Sequence, residues 1–314
     1  MAEPTPAAAD RAVPRALVEV RDASKHYGAV HALDGVTLDI VPGEVFGLIG
    51  HNGAGKSTLF KMMMGLIAPS SGTIRIDGVA VDGDDFREVR RRIGYLPENV
   101  VFYDNLNALE TLHFFARLKG IGPSGHSALL ERVGLGAAAT RRIREYSKGM
   151  RQRLGFAQAL LGEPRLLFLD EPTNGLDPDG IREFYAILAE LRAGGVTIVL
   201  TSHILAEIQQ RVDRLAIIAA GRVRAVGALG ELRGQADLPL WFDIDCEAGV
   251  LPALRAALAS LPVTVHEVGS GLRIACARQH KLAVLQAVGG LAGRLRDLQV
   301  REASLEDLFF GLSS

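Results

Sequence analysis

Cysteine is nearly absent from this chain: Cys246 and Cys276 are the two in 314 residues, and they stand far apart. That count argues against a disulfide framework and against a thiolate metal cluster. Long apolar runs are missing as well. Charge or glycine interrupts each one short of the roughly 18 residues that a membrane span needs. Nor does charge of either sign dominate, since 35 basic and 36 acidic residues leave a net −1. No global field therefore draws the chain onto nucleic acid or an anionic membrane. The opening stretch MAEPTPAAADRAVP, residues 1–14, has neither the basic start nor the apolar centre of a signal peptide and reads as a flexible leader. What is present is an ordinary globular composition, 48% hydrophobic and 23% charged, with a mean hydropathy of +0.18. At about 150 residues per domain, the length suggests two domains, and the cysteine usage a reducing, cytoplasmic setting.

Short β-branched runs alternate with stretches of helical period. Strands are expected at 16–20, 36–40, 45–49, 73–76, 165–169, 196–200 and 215–219, and helices at 56–65, 108–119, 149–161, 180–192 and 204–211. Strands apolar from end to end, alternating with helices, predict an α/β fold with a buried, largely parallel sheet. Residues 99–148 break this rhythm and read as a helical insertion. A second change falls near residue 234. Beyond it, strands at 240–244, 263–268, 272–275 and 296–300 and helices at 249–260 and 279–289 follow the order β-α-β-β-α-β. That order predicts a small α+β, ferredoxin-like domain over 235–314, after a main domain over 15–234.

The run GHNGAGKST at 50–58 follows an apolar strand and opens an apolar helix. This is the context that the phosphate-binding pattern G-x-x-x-x-G-K-[ST] requires. Gly50, Gly53 and Gly55 let the backbone wrap a polyphosphate, so that the N–H groups along His51, Asn52, Ala54 and Thr58 turn toward the anion. Lys56 is expected to pair with the β- and γ-phosphates of ATP, and Ser57 to offer its hydroxyl to Mg²⁺. Farther on, RLLFLDE at 165–171 is a buried strand ending in two carboxylates. In such sheets, ligands lie off the C-terminal strand ends, beside the phosphate loop. Asp170 is then placed to hold hydrated Mg²⁺, and Glu171 to polarise the attacking water. His203, after the strand at 196–200, is placed to contact the γ-phosphate.

Over residues 15–234 these motifs, in this order, resemble the ATP-binding-cassette (ABC) ATPases. YSKGM at 146–150 resembles the family's signature, in which a serine and a glycine at a helix N-terminus clamp the γ-phosphate of ATP held by a second copy. Ser147 and Gly149 occupy those places. The resemblance also makes Asp177 the dimer-contacting aspartate, His203 the switch histidine and Tyr27 the aromatic that stacks on adenine. Two departures stand out. Glu98 occupies the place of the family's usual glutamine, as a Mg²⁺ or water ligand that repels phosphate. Tyr146, Lys148 and Met150 replace commoner signature residues, and Lys148 reads equally as a charge near the facing γ-phosphate or as a solvated side chain.

The family resemblance implies a nucleotide-sandwiched dimer and a separate multi-span permease, contacted through the insertion and the Glu98 loop. The subunit would then sit on the cytoplasmic face of the membrane through that permease. Nucleic acid is not expected as a partner. GYLPENVVFYDNL at 94–106, ETLHFFARLK at 110–119 and the signature region through 164 resemble the NosF subgroup. Its members are the ATPase subunits of the transporter supporting copper-centre maturation of nitrous-oxide reductase, and the subgroup implies a periplasmic accessory protein and a denitrifying host. The residues themselves show nothing of copper: Met62, Met63 and Met64 point in different directions on one helix and read as core. The alternative is the ATPase of another ABC-2-type exporter of drug, lipid or sodium, whose tails ASLEDLFF at 303–310 resembles. A soluble cassette ATPase acting on DNA or ribosomes, and a nucleotide-gated switch of low turnover, are the remaining alternatives.

Overall fold

The computed structural model describes residues 15–122, 124–203, 208–235, 239–269 and 271–302. It divides into two compact units, meeting between Val226 and Gly227. The expected leader and the 303–310 tail lie outside the described residues, as does part of the helix expected at 204–211.

The first unit contains two sheets. Strands β1 (Val18–Tyr27), β2 (Val30–Ile40), β4 (Ser71–Ile76) and β5 (Val79–Ala80) form one, in the order β2-β1-β4-β5, with antiparallel neighbours. The other has the order β10-β9-β3-β8-β7-β6, from β3 (Val45–Ile49), β6 (Ile93–Leu96), β7 (Leu166–Leu169), β8 (Thr197–Ser202), β9 (Arg214–Ala219) and β10 (Arg222–Gly227). Strands β6 through β9 of this second sheet are parallel. Every residue of β3, β7 and β8 is buried; β3 and β7 are apolar end to end for that reason, whereas β8 has an apolar centre at 198–200 flanked by buried Thr197, Thr201 and Ser202. The antiparallel sheet was not expected beyond fragments of its strands. Along β2 buried and exposed positions alternate, so its sequence carries no continuous apolar run.

Helix α1 (Lys56–Met63) lies between the sheets' apolar faces, and one core joins Val20, Leu38 and Ile74 to Phe46, Phe60 and Phe168. The Phe60 and Phe168 rings meet edge to face at 5.2 Å. Met62, Met63 and Met64 are all buried in that core. Helix α2 (Phe86–Arg91) precedes β6. The insertion is less helical than its sequence suggests. Helix α3 (Ala108–Lys119) spans the expected residues, because Asn107 and Glu110 form a reciprocal capping box and Gly120 ends it with φ 72°. Gly125 and Gly134 also take positive φ, and they confine α4 to His126–Arg132. Two short 3-10 turns then lead into α5 (Lys148–Leu160). Helix α6 (Pro178–Ala193) links β7 to β8.

The second unit comprises α7 (Leu229–Gln235), β11 (Leu240–Cys246), α8 (Leu251–Leu258), β12 (Val263–Val268), β13 (Gly271–Cys276), α9 (Lys281–Gly289) and β14 (Leu295–Glu302). From β11 onward the elements follow the expected order, and the sheet is antiparallel throughout, arranged β12-β13-β11-β14. Leu240, Phe242, Ile244 and Cys246 alternate inward and pack with Leu254 and Leu258 of α8 and Val284 and Val288 of α9. Cys246 and Cys276 are both buried and form no disulfide among the described residues, and burial pushes both thiols up.

Candidate functional site

The phosphate loop leaves the central strand β3 at Ile49 and enters α1 at Lys56. Glycine is obligatory at two places. A Cβ on Gly50 would lie 2.4 Å from the Ile218 carbonyl oxygen on β9. Gly55 has φ 108°, and its Cβ would come within 2.7 Å of the Ala32 carbonyl oxygen on β2. The loop is therefore held by backbone on both sides, and Gly221 N–H donates to the Ala54 carbonyl at 3.1 Å. The Lys56 ammonium turns back to donate to the carbonyls of Gly50 and His51, the latter at 3.3 Å. Burial pushes Lys56 below its usual range, against the opposing pull of Glu171, Asp170 and Glu98.

Parallel pairing of β7 with β6 and β8 brings the carboxylates to the same edge of the sheet. Asp170 and Glu171 are both buried. Glu171 Oε1 has no hydrogen-bond partner and lies 3.9 Å from Lys56 Nζ. Its other oxygen, Oε2, is 2.9 Å from His203 Nδ1. Glu171 also takes φ 47°, in the left-handed region that non-glycine residues rarely occupy. Burial, then Asp170 and Glu98, push the phenol of Tyr95 on β6 up to about 12.

A cleft of 420 Å³ lies in front of these groups. Of the expected site residues, His51, Asn52, Gly53, Gly55, Lys56, Ser57, Thr58, Glu98, Asp170 and Glu171 line it. Gly50 and Ala54 form the loop behind it. Three residues that the motifs did not indicate, Val30, His31 and Ala32, complete the wall. Tyr27 is the register partner of Val30 and so stands at the cleft's edge, half exposed, with Lys25 Nζ 5.3 Å from its ring centroid. Sequence reasoning also passed over Thr201, whose hydroxyl donates to Asp170 Oδ1 at 2.7 Å and accepts from Glu171 N–H at 2.8 Å. The apolar strand before His203 signalled the position but not the contact.

Ser147, Gly149 and Asp177 do not line this cleft. Ser147 caps α5 by accepting from Met150 N–H at 3.2 Å, and Asp177 caps α6 by accepting from Gly180 N–H at 2.9 Å. A Cβ on Gly149 would lie 2.9 Å from the Gly175 carbonyl oxygen, so the signature packs directly on the loop after Glu171. The stem of Lys148 lies over Gly175, while the residue as a whole is exposed.

A larger groove of 1040 Å³ in the same unit, bordered by Leu17, Ile93, His126 and Leu161, contains none of these groups. Among the described residues, no cluster of three His, Cys, Asp or Glu side chains is arranged to hold a metal ion. No helix among them is long and apolar enough to cross a membrane.

The family model described as ABC transporter matches residues 33–174. The chain is 36% identical over 305 residues to the daunorubicin resistance ATP-binding protein DrrA3 of Streptomyces coeruleorubidus, covering 94% of this chain and 95% of that protein. It is 32% identical over 309 residues to the linearmycin resistance ATP-binding protein LnrL of Bacillus subtilis strain 168, covering 95% and 98%. Among solved structures, the ATP-binding cassette MJ0796, in a dimeric post-hydrolysis state bound to ADP and Pi, superposes with a TM-score of 0.63. That match has 27% identity and covers 68% of this chain and 98% of that one. DrrA3 and LnrL carry names from drug resistance, and the expected kinship with NosF gains nothing from them. Alignment over nearly its whole length makes the chain a member of the ATP-binding subunits of ABC transporters, and with them an ATP-hydrolysing enzyme.

Proposed function

We propose that this chain energises an ABC-2-type exporter of drug-like molecules, as one of two ATPase subunits docked on a multi-span permease at the cytoplasmic face of the membrane. One observation carries the reading: two antibiotic-resistance ATP-binding proteins align with at least 94% of the chain, well beyond the cassette that all such ATPases share. The copper-centre reading takes second place, because only the local stretches at 94–119 and 146–164 speak for it. The sequence boundary at 234/235 falls eight residues beyond the division between the compact units, so we read the cassette as ending at Val226 and the second unit as a ferredoxin-like accessory domain, on the strength of its element order and antiparallel sheet.

The cleft suits ATP. Lys56 and the loop amides take the phosphates, and Tyr27 is available for the base. The hydroxyl of Ser57 and the carboxylates of Asp170 and Glu98 are hard oxygen donors of the kind Mg²⁺ prefers. When bound, the ion would neutralise charge developing on the transferred phosphoryl group. Glu171 Oε1, buried and without a hydrogen-bond partner, is the free acceptor for a proton of the attacking water. His203 holds the other oxygen and so fixes the rotamer that presents Oε1. Ser147 and Gly149 lie outside this cleft, which supports a sandwich in which the second copy supplies them. Val101, Tyr103, Phe114 and Leu118 of the insertion are exposed apolar groups, and they support permease docking on that face.

A deletion strain tests the assignment. It is expected to become more sensitive to amphiphilic antibiotics, with resistance restored by the wild-type chain and not by Glu171→Gln. Unchanged susceptibility together with a copper-deficient nitrous-oxide reductase would reverse the order of the two readings.

A further inference from the structure

Thr201 is the fifth residue of β8 and is fully buried between the two carboxylate-bearing residues that follow β7. Its hydrogen bonds have a forced polarity. Glu171 N–H can only donate, so the Thr201 oxygen accepts at 2.8 Å. The hydroxyl proton is then available to Asp170 Oδ1 at 2.7 Å. One hydroxyl, with one proton and two lone pairs, thus holds a side chain and a neighbouring main chain together.

The grip on Glu171 matters because its backbone is strained at φ 47°. Such conformations persist where the surroundings over-determine them. Here Thr201 takes the Glu171 N–H, Asn174 N–H donates to the Glu171 carbonyl at 3.2 Å, and His203 Nδ1 meets Oε2 at 2.9 Å. Of these three contacts, Thr201 alone also fixes Asp170.

We propose that Thr201 is a positioning residue for hydrolysis, whose hydroxyl sets the Asp170 carboxylate and the Glu171 backbone in a common geometry. The inference rests on the roles given above to Asp170 and Glu171. If Thr201 served only to fill space in β8, valine would replace it without loss, since the two side chains have the same shape.

The test compares Thr201→Val, Thr201→Ser and Glu171→Gln in the full chain. Misplacement of a reacting group by about 1 Å costs on the order of 10²-fold in rate. Thr201→Val is therefore expected to lower kcat by about 10²-fold. Nucleotide binding without Mg²⁺ stays unchanged, and more Mg²⁺ is needed to reach half-maximal rate. In the nucleotide-free protein, amide exchange at Glu171 becomes faster in the valine variant. Thr201→Ser keeps the hydroxyl and is expected to restore both the rate and the amide protection. Wild-type turnover by Thr201→Val, or a serine variant as slow as the valine one, overturns the proposal. If the valine variant does not fold, Thr201→Ala carries the same comparison. Glu171→Gln separates the two layers. Normal turnover there removes the role of Glu171 itself, whereas an inactive Glu171→Gln beside a fully active Thr201→Val removes only the positioning role.

Discussion

Replacing Glu171 by glutamine keeps the volume of the side chain and removes its capacity to take a proton. The structure singles out which atom matters. Oε2 faces His203 at 2.9 Å, whereas Oε1 has no hydrogen-bond partner and lies 3.9 Å from Lys56 Nζ. Loss of a positioned general base costs about 10²–10⁴-fold in rate. At about 1.4 kcal/mol per decade, this is roughly 3–5 kcal/mol of barrier. Binding is expected to move the other way. The Glu171 carboxylate competes with phosphate for Lys56, so the amide leaves the ammonium freer for nucleotide. The nucleotide-free fold loses one partner of a buried pair, but Lys56 keeps the carbonyls of Gly50 and His51. A cost of about 1–2 kcal/mol is then expected. In a domain of this size each kcal/mol moves Tm by about 2–4 °C. Three measurements check the chain of reasoning: single-turnover hydrolysis, ATP titration, and light scattering for an ATP-held dimer. Turnover within tenfold of the wild type, or loss of ATP binding, refutes it.

Lys56→Met is expected to abolish the ATP-induced rise in Tm while leaving the nucleotide-free protein folded. Burial holds the Lys56 pKa below its unfolded value, so the folded state bears a penalty for the charged form that is full below the folded pKa and fades as pH rises toward about 10.5. Urea unfolding from neutral to alkaline pH should therefore show the wild type gaining stability relative to Lys56→Met, and parallel curves would contradict this. Glu98→Gln removes an exposed carboxylate from the cleft wall, and tighter ATP binding in the absence of Mg²⁺ is expected. Equal affinities for both versions, with and without the ion, would remove Glu98 from the phosphate site.

Chemistry that demands particular residues at fixed spacing was readable directly. The phosphate loop and the two carboxylates are of this kind, and so are the strands β3 and β7 and the centre of β8 at 198–200, where burial on both faces forces apolar sequence. The antiparallel sheet was poorly legible because one of its faces is exposed, and alternation with charge dilutes the strand pattern. Val30, His31 and Ala32 reach the cleft only because β2 turns back beside Tyr27, a consequence of register and not of any motif. Thr201 was hidden for the same reason: its partners Asp170 and Glu171 follow a strand about thirty residues away in sequence. The insertion was read as too helical, since the positive-φ glycines 120, 125 and 134 cut what an averaged helical period had joined.

Ser147, Gly149 and Asp177 lie away from the cleft, yet they are tied to it through the seven residues from Glu171 to Asp177. Gln152 on α5 donates to the Pro172 carbonyl at 3.0 Å, and both groups are buried. Gly149 abuts the Gly175 carbonyl, and Asp177 ends the same loop as the cap of α6. The loop therefore begins at the proposed general base and packs through Gly175 against the start of α5, which in the proposed dimer faces the other nucleotide. In the proposed reaction, loss of the γ-phosphate would remove the group that Glu171 and Lys56 face, and any shift of Glu171 would be carried along the loop to Gly175, which packs against Gly149. A glycine-to-alanine change at 149 would press a methyl group against the Gly175 carbonyl and displace this brace without touching the cleft. In the proposed dimer, coupling between the two nucleotide sites would then run through packing inside each chain.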